Sequence, residues 1–396
     1  MNPQGRIGFV PPRFGDDVIG GAEALMRETA EGLAARGWET EILTTCARDH
    51  FTWANEYPAG IEEHGKLLVR RFPTVIDTPR AERREIEAAI LRGERISLDR
   101  QQRWMNDDLR VPLLYHYLLE HATEYRALFF APYLFWTTFA CAQISPERTI
   151  LVPCLHDEPQ AHLDIFQPLF SGSRGLLFNS EPEAALAQRL YALPVHHRVV
   201  GTGVHVPDSY DPEGFRARYG IEGPFALYAG RREGGKRWEW LVDAFAYAVH
   251  RYDLPFTLVT MGTGAVNVDA SIADRVIDLG FLPTNDRNDA FAAADIYVQP
   301  SDLESFSRTI MEAWLAETFV VANGASDVVA WHVDRSDGGL TFADREEFAQ
   351  CLCFVREQPE TATALARRGR QYVLDNYRWG TVIDEVERAL DEWLPW

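Results

Sequence analysis

Short apolar runs bounded by turn residues alternate with amphipathic stretches along this chain, and they do so twice. Strands and helices in strict succession bury both faces of each strand in a parallel, doubly wound sheet, so this alternation restricts the fold more than any other feature. Residues Arg6 to Val10 form the first run, closed by Pro11-Pro12, which predicts a buried strand. In the following IGGAEALMRETAEGLAARGWETEILTT, Ala24, Leu25, Ala30 and Leu33 fall near helical spacing, and Gly37 stands where a helix C-terminal cap is expected. Glu41 to Thr45 then resumes as a strand and completes a β-α-β unit. Further strands are predicted at Leu128 to Phe130, Thr149 to Cys154 and Gly175 to Phe178.

Turn residues Pro207, Asp208 and Pro212 mark the start of a second domain near Val206 to Asp211. The alternation then repeats. Strands are predicted at Phe225 to Tyr228, Phe256 to Met261, Val276 to Leu279, Ile296 to Gln299 and Phe319 to Asn323, with helices at Trp238 to His250, Asp289 to Ala294 and Thr309 to Ala316. A chain of 396 residues is long for a single core, which also favours two domains. The expected division is 1–205 and 206–376, with an amphipathic helix over Tyr377 to Trp396 that crosses back to the first domain. Two doubly wound domains in tandem predict a cleft between them.

One segment breaks the pattern. Thr78 to Tyr125 is charged and reads as a helical insertion; it carries Arg83, Arg84, Arg92, Arg95, Arg100, Arg103 and Arg110, interleaved with acids and with Trp104. The plain reading is a solvated helical face; the sharper one is a wall for an acceptor or a contact with an anionic surface such as a membrane.

The net charge of −20 argues against a nucleic-acid backbone as the main partner, although small anions respond to local charge. No apolar run approaches the roughly 20 residues of a membrane span, and the start MNPQGRIGFV lacks a signal-peptide pattern, so a cytoplasmic protein is expected. The five cysteines are odd in number and mostly set in apolar runs, which predicts reduced, buried thiols. Cys351-Leu-Cys353 has neither the spacing nor the partner pair of a zinc site.

In open α/β sheets ligands bind beyond the carboxyl ends of the strands, which directs attention to three loops. Gly20-Gly21 precedes the first helix, where glycine lets backbone N–H groups approach a phosphate; two glycines in a turn are more often structural, and the dinucleotide fingerprint is absent. In YAGRREGGKRWEWL, Arg231 and Lys236 flank a glycine-rich turn that leads into a helix, so guanidinium, ammonium and N–H groups converge on one diphosphate, if the turn is not simply solvated. In PSDLESFSRTIMEAW, Glu304 closes a loop and Glu312 follows eight residues later. Dipole compensation accounts for Glu304 as well as a ligand does. It accounts less well for Glu312, which is flanked by Met311, Ala313 and Trp314, and two such carboxylates suit a polyhydroxylated ligand.

With these pieces in register, nearly the whole chain resembles the GT-B-fold retaining glycosyltransferases of family 4: the segment after the first strand, VVGTGVHVP at the crossover, YAGRREGGK, and the glutamate pair ESFSRTIME. The resemblance implies an α/β fold of two Rossmann-like doubly wound parallel-sheet domains facing a cleft. It implies that Arg231 and Lys236 hold a diphosphate and stabilise the charge that develops on it, which removes the need for a metal. No Asp-x-Asp metal motif is present. Glu312 would bind the ribose hydroxyls and Glu304 those of the donor sugar. The segment Ser305, Phe306, Ser307 and Arg308 belongs to the same donor site, with backbone amides of Phe306 to Arg308 at the distal phosphate. Gly20 and Gly21 would close over the diphosphate. His156, in PCLHDEP after the predicted strand Thr149 to Cys154, matches the family histidine near the donor sugar, with Asp157 orienting it.

This chain departs from the family pattern in the donor loop. Ser305 and Ser307 flank Phe306 where glycines are usual, Arg308 replaces an aliphatic residue, Glu317-Thr318-Phe319 replaces Gly-x-Pro, and Ser326-Asp327 replaces a glycine pair. A divergent branch is implied. The implied partners are a nucleoside diphosphate sugar of UDP or GDP type as substrate and a glycan or glycoconjugate acceptor, with no cofactor. A nucleotide-sugar epimerase would need other acid–base residues, and a glycogen-type phosphorylase a pyridoxal-phosphate lysine in a longer chain. A catalytically degenerate scaffold subunit would be expected to lack Arg231, Lys236 or Glu312, all of which are present.

Overall fold

The structure is a computed structural model that describes residues 5–18, 20–76, 81–107, 109–232 and 234–394. Thr78, the expected start of the helical insertion, and Trp396, the expected end of the last helix, lie outside the described residues. The chain divides into two compact units: residues 1–203 together with 379–396, and residues 204–378.

In the first unit the strands are β1 (Arg6–Val10), β2 (Glu39–Thr45), β3 (Gly60–His64), β4 (Leu67–Phe72), β5 (Val75–Ile76), β6 (Leu109–Arg110), β7 (Ala127–Phe130), β8 (Thr149–Leu151), β9 (Gly175–Phe178) and β10 (His197–Val199). Among the described residues the main sheet runs β10-β9-β8-β7-β1-β2-β4-β3, while β5 and β6 pair separately. Its central strands are apolar on both faces, as in the fully buried FF pair of β7 and the IGFV of β1. The sheet is not wholly parallel. β3 and β4 form an antiparallel hairpin through Gly65, whose φ of 60 suits glycine, and the polar GIEEH of β3 is the solvated edge. β8 stops at Leu151, three residues short of the strand predicted to Cys154. Pro153 has no N–H for the ladder, and Cys154 turns the backbone left-handed at φ 51.

Among the described residues the insertion forms the α-helices Ala81–Leu91, Leu98–Asn106 and Pro112–His121, with β6 before the last of them and a 3-10 turn at Ala122–Glu124 after it. Arg92 pairs with Glu94 at 2.6 Å, and Arg103 with Glu82 at 2.8 Å and with Asp99, so these two arginines have acidic partners within the segment. Such exposed pairs are worth little in stability, and they favour the solvated reading over an anionic-surface contact. The helix Trp379–Trp393 belongs to the first unit. It buries Val382, Ile383, Val386, Ala389, Leu390 and Trp393 at helical spacing, each large side chain contributing about 2 kcal/mol. Gly32 of the helix Gly21–Ala35 lies under Ile383, and Trp38 Nε1 donates to Glu387 Oε1 at 2.7 Å.

The second unit contains β11 (Phe225–Ala229), β12 (Thr257–Met261), β13 (Val276–Asp278), β14 (Ile296–Gln299), β15 (Phe319–Asn323) and β16 (Gly339–Phe342). All neighbours are parallel, in the order β13-β12-β11-β14-β15-β16. The helix Thr284–Ala293 begins five residues before the predicted Asp289, because its polar first turn is held by the side chain of Arg218. β16 and the helices Arg345–Glu357 and Pro359–Asn376 add to the elements that the sequence predicts.

The loops after β11 and β12 touch through backbone. Gly262 has φ 130, donates to the Gly280 carbonyl at 2.7 Å, and would place a Cβ inside contact distance of the Gly230 carbonyl oxygen. Gly262→Ala is therefore expected to destabilise the chain by about 2 kcal/mol or more. An unchanged urea midpoint would contradict this.

Candidate functional site

Chain order reverses direction at β11 of the second unit. From there the chain steps to β12 and β13 on one side and returns to β14 on the other. The crevice beyond the carboxyl ends of β11 and β14 is therefore the topological switch point, where open α/β sheets bind ligands. Arg231 and Lys236 lie in the loop after β11, and Glu304 to Glu312 follow β14.

The first of these loops is fixed from below. Gly230 N–H donates to the Met261 carbonyl at 3.0 Å, Arg232 N–H to the Thr263 carbonyl at 2.9 Å, and the Tyr228 hydroxyl to the Arg231 carbonyl at 2.7 Å. The two adjacent arginines part company. The Arg232 side chain, only 1% exposed, is ion-paired with Asp278 and donates to Thr260 Oγ1 at 3.2 Å and to the Gly264 carbonyl at 2.9 Å. It ties together the loops after β11, β12 and β13. Arg231 is exposed above it.

Gly234–Lys236 forms a single 3-10 turn, and Arg237, at φ 53, turns the chain into the helix Trp238–Tyr252. Lys236 Nζ lies 2.7 Å from Glu304 Oε1, with side chains 27% and 12% exposed. Arg237 reaches Asp302 at 3.1 Å, and Asn323 donates to the same Asp302 oxygen at 2.8 Å, so the β14 loop is stitched to both neighbours. This brings Lys236 and Glu304 together. The resemblance had placed them on different parts of a donor.

Gln299, which ends β14 and is 3% exposed, carries weight that sequence reasoning missed. Its Nε2 donates to Ser307 Oγ at 2.6 Å and approaches Thr309 Oγ1 at 3.3 Å and Glu304 Oε1 at 3.4 Å; its Oε1 accepts from Ser301 at 3.0 Å. A polar residue closing an otherwise apolar buried strand was the available signal. Ser307 sits at φ 70, a left-handed conformation that favours glycine, and the bond to Gln299 holds serine there. Its hydroxyl makes no cap to the helix Arg308–Leu315. The Phe306 ring is buried edge-on against His332 and Tyr377. Burial pushes His332 down to about 3, partly opposed by the Phe306 carbonyl, so this histidine is neutral packing. Glu312, 12% exposed, is ion-paired with Arg287 of the helix Thr284–Ala293.

In the first unit, Gly20 precedes the helix Gly21–Ala35. A Cβ on Gly20 would fall inside contact distance of the Glu23 carboxylate, which buried Arg13 holds at 2.9 Å and 2.5 Å. Gly21 has open space around its Cβ position. The glycine pair thus splits into one position constrained by packing and one that is not.

His156 lies five residues beyond β8, not at a strand end, and its ring is 32% exposed with Nδ1 4.0 Å from Glu158 Oε1. The Asp157 carboxylate pairs with His162 at 2.8 Å. What fixes the His156 loop is Glu183, 1% exposed, which accepts Leu155 N–H at 2.7 Å and Asn179 N–H at 2.5 Å. Its signal in the sequence was the Ser180-x-x-Glu183 capping pattern, and Ser180 Oγ does accept Glu183 N–H at 3.3 Å.

Burial pushes the Glu183 carboxyl up to about 8 against the opposing hydrogen bonds from Asn179, Leu155 and Ser180. The folded chain then keeps a proton that the unfolded chain releases near its ordinary pKa. Glu183 therefore makes stability fall as pH rises from the ordinary carboxylate range to about 8. Glu183→Gln is expected to flatten that slope, by at most about 1.4 kcal/mol per pH unit. Urea titrations between these limits measure it, and parallel slopes for variant and wild type would refute the assignment.

Comparison with known proteins bears on this site. Residues 223–357 match the family described as glycosyl transferases group 1, a span that contains Arg231, Lys236, Glu304 and Glu312. The 2-deoxystreptamine glucosyltransferase of Streptomyces kanamyceticus is 28% identical over 47% of this chain, a match that spans 54% of the relative's length. The D-inositol 3-phosphate glycosyltransferase of Saccharomonospora viridis is 25% identical over 94% of this chain and 89% of its own. The structure of Anabaena HepE in complex with UDP-glucose superposes with a TM-score of 0.70 at 17% identity, covering 98% of this chain and 99% of that one. The chain has the GT-B fold, and its second unit is similar to glycosyl transferases group 1 over the residues that form the switch-point loops.

Proposed function

We propose that this chain is a retaining, metal-independent glycosyltransferase that moves a sugar from a nucleoside diphosphate sugar to an acceptor hydroxyl. The observation that carries the reading is the pairing of Lys236 with Glu304 at 2.7 Å across the switch point, beside exposed Arg231 and a glycine turn, in a chain of net charge −20. A fixed ammonium and a guanidinium at that place favour a bound diphosphate over water.

In this reading Arg231 and Lys236 offset the negative charge that grows on the diphosphate as the sugar–oxygen bond breaks. Both cations are in place before reaction, so no metal is required for that role. Glu304 meets the donor-sugar hydroxyls and holds Lys236 in the crevice. The Ser305 to Arg308 segment offers backbone amides at the start of its helix to the distal phosphate, and Glu312 meets the ribose. The acceptor hydroxyl attacks from the face the diphosphate leaves. A leaving phosphate oxygen takes its proton, and the configuration at the anomeric carbon is kept. The UDP-glucose bound by HepE makes a UDP sugar the first donor to test, with GDP sugars second. A surface glycan or glycoconjugate acceptor and a cytoplasmic setting belong to the same proposal; among the described residues no helix is long and apolar enough to cross a membrane.

Proton NMR of the first-formed product tests the stereochemistry. With an α-linked donor the product is expected to be α-linked, and transfer is expected to continue in excess chelator. A β-linked product, or loss of transfer that added magnesium restores, would overturn the mechanism.

A further inference from the structure

Glu312 does not stand alone in its pocket. One of its oxygens, Oε1, is taken by Arg287 Nη2, while Oε2 is buried and has no hydrogen-bond partner. Arg287 Nε, on the other side of the same ion pair, is also buried and also unpartnered. A guanidinium and a carboxylate often join through two parallel bonds. Here one bond forms, and a buried donor and a buried acceptor on that pair are both left over. Leaving either without a partner is costly, so the arrangement is complete only when a further group satisfies them.

The chemistry of the two leftovers selects that group. Oε2 of an ionised carboxylate can only accept, and Nε–H can only donate. A phosphate has nothing to donate to Oε2, and an ammonium has nothing to offer Nε–H. A hydroxyl does both. Arg287 is also committed to this carboxylate by its surroundings. The two acids nearest it on its own helix are engaged elsewhere: Asp286 with Arg218 at 3.0 Å and the Tyr219 hydroxyl at 2.9 Å, and Asp289 with Arg218 at 2.9 Å and the Asp211 N–H at 2.8 Å.

We propose that Arg287 is a positioning residue for Glu312, and that the pair forms a one-hydroxyl receptor that reads a single ribose hydroxyl of the donor nucleotide. The proposal rests on the reading of these loops as a nucleoside diphosphate site. It goes beyond that reading by assigning a residue outside the recognised motifs and by predicting unequal weight for the two ribose hydroxyls.

Calorimetric titration of the full chain with UDP and GDP, and with the 2′-deoxy and 3′-deoxy forms of whichever binds, tests it. In the wild type one deoxy form is expected to bind about tenfold or more weakly, and the other within about threefold of the parent. Arg287→Leu is expected to bring that penalty to within about twofold. Arg287→Lys keeps the charge and can still donate to Glu312, but it has no planar Nε–H fixed beside the Nη2 that pairs with Glu312, and is expected to recover parent affinity without recovering the penalty. A merely structural role for Arg287 would lower all affinities together and leave their ratio unchanged. An unchanged ratio in Arg287→Leu overturns the proposal alone. Failure of the folded wild type to bind any nucleoside diphosphate overturns the underlying reading and the proposal with it.

Discussion

Lys236→Ala is expected to lower the rate of sugar transfer by about 100- to 1,000-fold while the chain stays folded. The magnitude follows from removing one preorganised cation aimed at developing charge, the effect of deleting a single oxyanion donor in other enzymes. The fold should tolerate the change, because Lys236 is 27% exposed on a one-turn segment and its partner Glu304 retains a neighbour in Gln299 Nε2 at 3.4 Å. A pair of this exposure contributes about 1 kcal/mol, against a total stability on the order of 5–15 kcal/mol. Nucleoside diphosphate affinity should fall along with turnover, because the same ammonium meets the diphosphate before and during the reaction. Steady-state kinetics with a saturating acceptor, read beside the circular dichroism spectrum, gives the answer. Transfer within threefold of wild type would remove Lys236 from the mechanism.

Glu304→Ala is expected to cost transfer about 100-fold and to leave nucleoside diphosphate binding unchanged or stronger. The two outcomes separate because Glu304 has two jobs in this reading. It meets the donor sugar, which a nucleoside diphosphate lacks, and it occupies the Lys236 ammonium at 2.7 Å, which a diphosphate also requires. Removing the carboxylate loses the first and releases the second. Parallel titrations with the nucleoside diphosphate and with the intact donor distinguish them. If both ligands weaken equally, Glu304 is a structural brace for the loop and not a sugar contact.

Much of the architecture was legible because parallel strands are buried on both faces and so appear as unbroken apolar runs. β1, β9, β14 and β15 lie where those runs lie. The reading failed where a neighbour in space overrode the local pattern. The first turn TNDR of the helix Thr284–Ala293 is too polar to read as helix, and it is secured by Arg218, far away in sequence. β8 ends early because of the backbone at Pro153 and Cys154, and His156 lies in a loop as a result.

The site divides in the same way. Arg231, Lys236 and Glu304 were visible as polar residues in loops that follow predicted strands, and Glu312 as a carboxylate in the apolar helix after the last of them. Arg232 was not, since two adjacent arginines look alike until one of them turns inward to Asp278. Gln299, Glu183 and Arg287 act through partners 8, 28 and 25 residues away; Gln299 stands out as a polar end to an apolar strand and Glu183 as part of a capping pattern, but residue type does not identify those distant partners.

The central claim is that the loops after β11 and β14 hold a nucleoside diphosphate through Lys236 without a metal. Calorimetric titration of UDP and GDP into the wild-type chain and into Lys236→Ala, both in excess chelator, tests it most directly. The account predicts saturable one-to-one binding of at least one of the two by the wild type, weakened at least tenfold in the variant. Equal affinities in the two proteins, or binding that appears only when a divalent metal is added, would contradict it.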